Sequence, residues 1–292
     1  MGSTRTDVEV SYDVSNEFFR LWLDERMNYT CAVYETMAET GPLGAGGQSL
    51  EKAQLHKLHL LSEMARVTPA KAVLDIGCGW GACLEYLSGA REVKRAVGVT
   101  LSTAQAAEVN ARNIPRVSCV GADFMKWETE ERFDAVISIC MIDHLCSPAE
   151  ARLGKAVGIY REYFRKVHAV TTPGAQFGLQ AILRNRVPRI KKDLEDVFFT
   201  TQIFPGGLNP RLEDLVQAVN PYWEVMTVHT RREHYQRTTW EWLTRMRGHE
   251  AAIRKQWGDQ VYEDYDRYLS TCVRAFEMHY SSLAQLELRR ID

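Results

Sequence analysis

The chain has 292 residues, of which 45% are hydrophobic, 25% charged and 10% aromatic, values that exclude collagen-like, disordered and mini-protein classes. Thirty-six basic residues against 38 acidic ones leave a formal charge of −2. No global field therefore recruits nucleic acid, and any contact with lipid headgroups has to come from a local patch. Seven cysteines form no CxxC pair and no compact Cys/His cluster of metal-binding spacing, so a reduced, cytoplasmic protein without a metal is expected. The N-terminal stretch has no apolar signal region and no run of 18 apolar residues occurs, so no membrane span is expected.

In chain order, residues 13–24 place Phe18, Phe19, Leu21, Trp22 and Leu23 behind two possible caps, Asp13 and Ser15, and predict an aromatic-rich helix. Gly41–Gly47 holds four glycines and a proline and reads as a hinge or lid loop before amphipathic helix resumes near Leu50. From Ala70 the pattern becomes strand KAVLDIG, a helix through Leu87, strand Arg95–Leu101, a helix over Ala104–Arg112, and strands Val117–Asp123 and Phe133–Cys140. A helix over Ala149–Val167 and strand Ala175–Ile182 follow. The alternation predicts a doubly wound, mostly parallel α/β sheet. Residues 183–220, with Pro188, Pro205, Gly206, Gly207 and Pro210, break the rhythm and predict an excursion over the ligand edge of the sheet, before YWEVMTVHT returns as a strand. The last fifty residues, from about Thr238, read as two long amphipathic helices.

Leu74-Asp75-Ile76-Gly77-Cys78-Gly79-Trp80-Gly81 sits where the first strand passes into the first helix, and glycines there permit a tight turn and close approach to a ligand. Gly77-x-Gly79-x-x-Ala82 also fits a dinucleotide fingerprint. A dinucleotide site wants an acid about 20 residues later, but the second strand ends Gly98-Val99-Thr100-Leu101-Ser102 and the next acid is Glu108, inside a helix. NAD is disfavoured, and a structural turn without a ligand stays open beside a nucleoside-type cofactor.

These residues, together with Tyr12-Asp13-Val14-Ser15-Asn16-Glu17-Phe18-Phe19, Met27-Asn28-Tyr29-Thr30-Cys31, Leu50-Glu51-Lys52-Ala53-Gln54, Phe204-Pro205-Gly206-Gly207 and His234-Tyr235, resemble the class I S-adenosylmethionine methyltransferases. Within them the match is to the cyclopropane fatty acid and mycolic acid synthase group. The resemblance implies a Rossmann-like seven-stranded sheet with a helical cap, built as a single methyltransferase domain over 1–292. Its parts would be an N-terminal helical cap (1–68), a cofactor-binding core (69–182), a substrate-cap insertion (183–220) and final strands with C-terminal helices (221–292). It implies S-adenosyl-L-methionine contacts from Tyr29, Thr30, Asp75, Gly77, Gly79, Thr100, Leu101 and Gln105, with Thr100 and Gln105 replacing the missing acid at the ribose. Asp123 and Phe124 would meet the adenine, although Asp123 also suits a solvated turn.

The same resemblance implies that an alkene attacks the methyl to form a carbocation, and that a bicarbonate-like anion held by Cys, Glu, His and Tyr removes a proton so that a ring closes. Cys31 and Tyr235 stand in matching motifs, but the Glu position is Asp143 and the His position is Gln180. An amide donates a hydrogen bond yet cannot relay a proton as imidazole does, so ring closure is not expected to carry over simply. The cation could end as a methyl branch or methylene, or Asp143 with His144 could serve as general base for another nucleophile, as in an N- or C-methyltransferase of small natural products. His144 as a loop cap, Cys31 as a small core residue and Tyr235 as a packing ring are the plainer alternatives. Asp143 stands at the carboxyl end of a central strand, where α/β proteins bind ligands.

A cation-forming reaction calls for aromatic walls, for which Phe18, Phe19, Trp22, Phe198, Phe199, Phe204, Trp240 and Trp242 are candidates alongside simple core roles. Arg184, Arg186, Arg189, Lys191 and Lys192 crowd the expected cap, where they could meet phospholipid at a membrane surface, acyl-carrier protein or a diphosphate, or form a solvated face.

Overall fold

The computed structural model describes residues 2, 14–35, 48–203 and 205–292. The Gly41–Gly47 loop, Tyr12, Asp13 and Phe204 lie outside the described residues. Ser15 caps the first helix, α1 (Asn16–Arg20), by accepting from the Phe18 amide at 3.3 Å. It precedes α2 (Leu50–Met64).

The core then alternates β1 (Ala72–Ile76), α3 (Ala82–Gly89), β2 (Arg95–Thr100), α4 (Thr103–Ala111), β3 (Val117–Gly121) and β4 (Phe133–Ile139). The expected helix over Ala149–Val167 is two helices, α5 (Pro148–Arg152) and α6 (Ala156–Ala169). A Ser147/Glu150 capping box starts α5, and Gly154, at φ +70°, ends its run in the left-handed region. The next strand, β5 (Thr171–Arg184), is longer at both ends than Ala175–Ile182. The excursion carries α7 (Lys191–Ile203) and α8 (Leu212–Val219) before β6 (Trp223–Thr230).

The C-terminal segment departs from the two expected helices. It forms α9 (Arg232–Gly248), α10 (Glu250–Trp257) and α11 (Asp259–Glu277), followed by β7 (Ser281–Arg290). Gly258, at φ +92°, separates α10 from α11. The β7 sequence is rich in Leu, Ala, Gln, Glu and Arg, all good helix formers, yet it pairs antiparallel with β5 on one side and β6 on the other. Two full ladders and the burial of Leu283, Leu286 and Leu288 outweigh that propensity.

The seven strands run β3-β2-β1-β4-β5-β7-β6. Strands β1 to β5 are parallel. The order reverses between β1 and β4, which opens a crevice at their carboxyl ends, the place where open α/β sheets bind ligands. One core cluster joins the sheet to α6 and α8, a second packs α2 to α4 on the sheet, and a third gathers Phe18, Phe19 and Trp22 against α9 and α11. Among the described residues no helix is long and apolar enough to cross a membrane.

Candidate active site

The carboxyl end of β1 delivers Asp75 and then the glycine turn. The Gly77 and Cys78 amides both donate to the Val99 carbonyl, at 2.8 and 3.1 Å, which pins the turn to β2. Gly77 and Gly79 stand at φ +80° and +52°, which glycine adopts without strain. A Cβ on Gly77 would lie 2.7 Å from Met141 Cβ, whereas one on Gly79 would meet nothing within 4 Å. Gly79 therefore fronts open space, and that space belongs to a cavity of about 1260 Å³ along the carboxyl ends of the strands. Such a volume exceeds the usual range for a single drug-sized ligand.

Around the turn the cavity is lined by Asp75, Tyr29, Thr30 and Lys57. Asp75 is buried, its Oδ2 has no hydrogen-bond partner, and burial pushes its carboxyl up to about 7, against the pull of Lys57. Lys57 is fully buried and donates to Asn28 Oδ1 at 3.1 Å and Thr30 Oγ1 at 3.0 Å. Burial lowers its pKa, while the charge of Asp24 pulls the other way. Lys57 was not singled out from the sequence, but it occupies a core position of α2, in step with Leu50, Ala53, Gln54, Leu58 and Leu61. A lysine on the apolar stripe of an amphipathic helix was the available signal.

At the next strand ends, Thr100, Leu101, Gln105, Asp123 and Phe124 all line the same cavity. Thr100 Oγ1 donates to Gln105 Oε1 at 2.8 Å, which leaves the Gln105 amide nitrogen to serve as a donor. Asp123 Oδ1 accepts from the Met125 amide at 3.0 Å. Phe124 packs edge-on against Tyr163.

Another part of the cavity wall is apolar and aromatic. Tyr235, Trp242, Tyr268 and Phe276 line it with Cys140, Cys272 and Ile182, and Tyr235 stacks on Phe276 with centroids 4.5 Å apart. Asp143 lines the cavity as well. Both of its carboxylate oxygens accept from the Ile182 amide, at 3.2 and 3.1 Å, and burial raises its pKa well above the carboxylate range. His144 also lines the cavity, its pKa lowered by burial. Cys140 takes a left-handed φ of +60° where β4 ends, a conformation costly for a residue with a Cβ.

The structure thus gathers Asp143, His144 and Tyr235, whereas Cys31 and Gln180 are fully buried and are not among the cavity-lining residues. Cys31 Sγ donates to the Ala32 carbonyl at 3.1 Å. Gln180 Oε1 accepts from Gln285 Nε2 at 2.8 Å, and its own Nε2 reaches Cys140 Sγ at 3.8 Å. Among the described aromatic candidates only Trp242 lines the cavity; Phe18, Phe19 and Trp22 are core, and Phe198 is exposed. Tyr268, Cys272 and Phe276 escaped the sequence reading because nothing in α11 separates cavity-facing from core-facing rings until it is packed.

The sequence matches the mycolic acid cyclopropane synthetase family over residues 2–286. It is 29% identical to cyclopropane mycolic acid synthase MmaA2 of Mycobacterium tuberculosis over 97% of this chain and 96% of that one. It is also 29% identical to cyclopropane mycolic acid synthase 2 of Mycobacterium leprae, over 96% and 92% respectively. The solved structure of M. tuberculosis MmaA2 superposes with a TM-score of 0.86, 26% identity and 99% of both chains covered. CmaA1 complexed with SAH and CTAB gives 0.85 at 24% identity, again over 99% of both chains. Coclaurine N-methyltransferase shares the fold at 18% identity and a TM-score of 0.74, over 97% of this chain and 86% of that one. The chain belongs to the mycolic acid cyclopropane synthetase family and is an S-adenosylmethionine-dependent methyltransferase.

Proposed function

We propose that the enzyme transfers a methyl group to an alkene carbon of a hydrophobic unsaturated substrate, fatty acyl or prenyl in type. The observation that carries this is that one cavity is lined by the glycine turn, by Asp143 and by the aromatic group of Tyr235, Trp242, Tyr268 and Phe276.

The residues present fit S-adenosylmethionine. The orphaned Asp75 Oδ2 suits an ammonium group, the open space before Gly79 suits a ligand close to the backbone, and Thr100 with Gln105 suits ribose hydroxyls. Tyr29, Thr30 and Leu101 complete the walls, and Asp123 and Phe124 suit an amino-bearing base with an apolar face. When bound, the cofactor supplies a methyl on a sulfonium that departs by in-line displacement.

The protein's share is alignment, exclusion of water and care of the charge that develops. Aromatic faces stabilise a carbon cation without reacting with it. As the alkene's electron pair forms the new bond to the methyl carbon, the neighbouring alkene carbon becomes cationic. Asp143, ionised, then takes a proton from a carbon next to the cation, and those C–H electrons form a new double bond. Burial raises the pKa of this carboxyl, which makes its ionised form the stronger base and confines that form to the higher-pH fraction of the enzyme. The burial of Gln180 behind Cys140 favours this ending over anion-assisted ring closure, because the position held by His in the resembling family offers no side chain to the cavity.

The test is incubation with methyl-labelled S-adenosylmethionine and two extracts, total lipid and polar metabolites, followed by mass spectrometry. Label in acyl or prenyl chains is expected, with NMR distinguishing a methylene or branch from a ring. Label confined to amines of the polar extract would overturn the proposal in favour of N-methylation.

A further inference from the structure

We propose that α7 and the loop before it form a docking surface for an anionic lipid bilayer, through which the substrate chain enters the cavity. Val187, Ile190, Leu194 and Phe198 are 71%, 49%, 49% and 68% exposed, four of the eight large apolar side chains exposed among the described residues. Ile190, Leu194 and Phe198 follow at four-residue steps, and the Leu194 amide donates to the Ile190 carbonyl at 3.0 Å. They therefore form one stripe along the helix.

The helix is amphipathic in the opposite sense to a normal surface helix. Two of its carboxylates, Asp193 and Asp196, turn inward to α11 and the residues just after it: Asp193 is buried and binds Arg274 at 2.5 and 3.0 Å and the Tyr280 hydroxyl at 2.7 Å. Asp196 binds Arg267 at 2.9 Å and Lys192 at 2.8 Å. Its apolar stripe faces outward, and an exposed contiguous apolar stripe marks an interaction surface.

The charges choose the occupant. Asp193 and Asp196 are met by Arg274 and Arg267 of α11, so the exposed set is Arg186, Arg189, Lys191 and Lys192 against Glu195; within it Lys191 pairs with Glu195 at 3.7 Å, Lys192 also reaches Asp196 at 2.8 Å, and Arg186 is anchored on the Met278 carbonyl. Cations flanking an apolar helix face suit the interface of an anionic bilayer, where the stripe enters the headgroup region and the basic residues meet phosphates. The patch is also continuous with the cavity, since Val187, Pro188, Leu194 and Val197 line it. A chain leaving the bilayer here enters the same cavity that Tyr235, Trp242, Tyr268 and Phe276 line. This deepens the proposed function and rests on its hydrophobic substrate.

The test is flotation of the full-length protein with phosphatidylglycerol-containing vesicles, with phosphatidylcholine vesicles as control. Wild type is expected to float with the anionic vesicles and to be released by high salt. Ile190→Ser with Phe198→Ser, neither residue lining the cavity, is expected to lower partitioning on the order of tenfold or more. Arg189→Glu is expected to weaken it and flatten its salt dependence. Unchanged thermal unfolding and S-adenosylhomocysteine affinity in the variants would show that the fold and cofactor site survive. Absence of wild-type flotation, or equal flotation of the double variant, would overturn the surface, and so would retention of an acidic carrier protein by this patch without any vesicle binding. The readout needs no methyl transfer, so its failure is separate from failure of the proposed reaction.

Discussion

Gln285 donates from Nε2 to Gln180 Oε1 at 2.8 Å, both side chains fully buried, joining β7 to β5 through their side chains as well as their ladder. The pair turns a position that the family resemblance made catalytic into part of the sheet. Gln180→Ala leaves the Gln285 amide without its acceptor and is expected to cost about 1–3 kcal/mol of stability. A lower urea midpoint with unchanged S-adenosylhomocysteine affinity would support this. A normal midpoint with lost turnover would return Gln180 to the chemistry.

Asp143→Asn keeps an oxygen able to accept from the Ile182 amide while removing the proton acceptor. Turnover is expected to fall on the order of 10²-fold or more, with cofactor affinity intact by calorimetry. Full activity would remove Asp143 from the mechanism.

Asp75 carries a pH prediction. Its carboxyl, lifted by burial from 3.8 to about 7, is protonated below that value and ionised above it, so affinity for S-adenosylmethionine should rise with pH through about 7. The sign for stability is opposite. The folded state holds this proton more tightly than the unfolded state, so Asp75 makes the ligand-free protein less stable as pH rises from about 4 to about 7. Asp75→Asn should weaken binding and abolish its pH dependence. Lys57→Met removes the cation that opposes the rise and should move the binding midpoint upward. Titration calorimetry across pH 5–9 (about two units either side of the midpoint) reads both, and a flat wild-type profile would count against the assignment.

Gly77 and Gly79 should respond differently. Gly79→Val adds its side chain to open cavity space at a positive φ, so loss of cofactor affinity should exceed the strain of about 1–2 kcal/mol. Gly77→Ala drives a Cβ to 2.7 Å from Met141 Cβ and should lower the melting temperature first. Undiminished cofactor affinity in Gly79→Val would sink the assignment of the turn.

Local chemistry made much of the core legible. Glycines at Gly77, Gly79 and Gly81, apolar runs of strand length and the absence of an acid after β2 are features of neighbouring residues, and each survives as a local backbone or side-chain preference. Asp143 came from the family resemblance, with its place at the end of a central strand as support. Lys57, Cys140, Cys272, Tyr268 and Phe276 were not legible in the same way, because their meeting depends on helices far apart in the chain packing over one sheet edge.

By itself, the sequence determined the alternating α/β order, the glycine turn and the family to which they belong, since these depend on periodicity and on residues adjacent in the chain. Tertiary structure decided that Ser281–Arg290 is a strand between β5 and β6, that Gln180 faces Gln285 and Cys140, and that α7 shows water its apolar side. Each of those outcomes is set by a partner from another element. Burial, pairing and the inward pull of Arg274 and Arg267 on Asp193 and Asp196 override what the local sequence prefers.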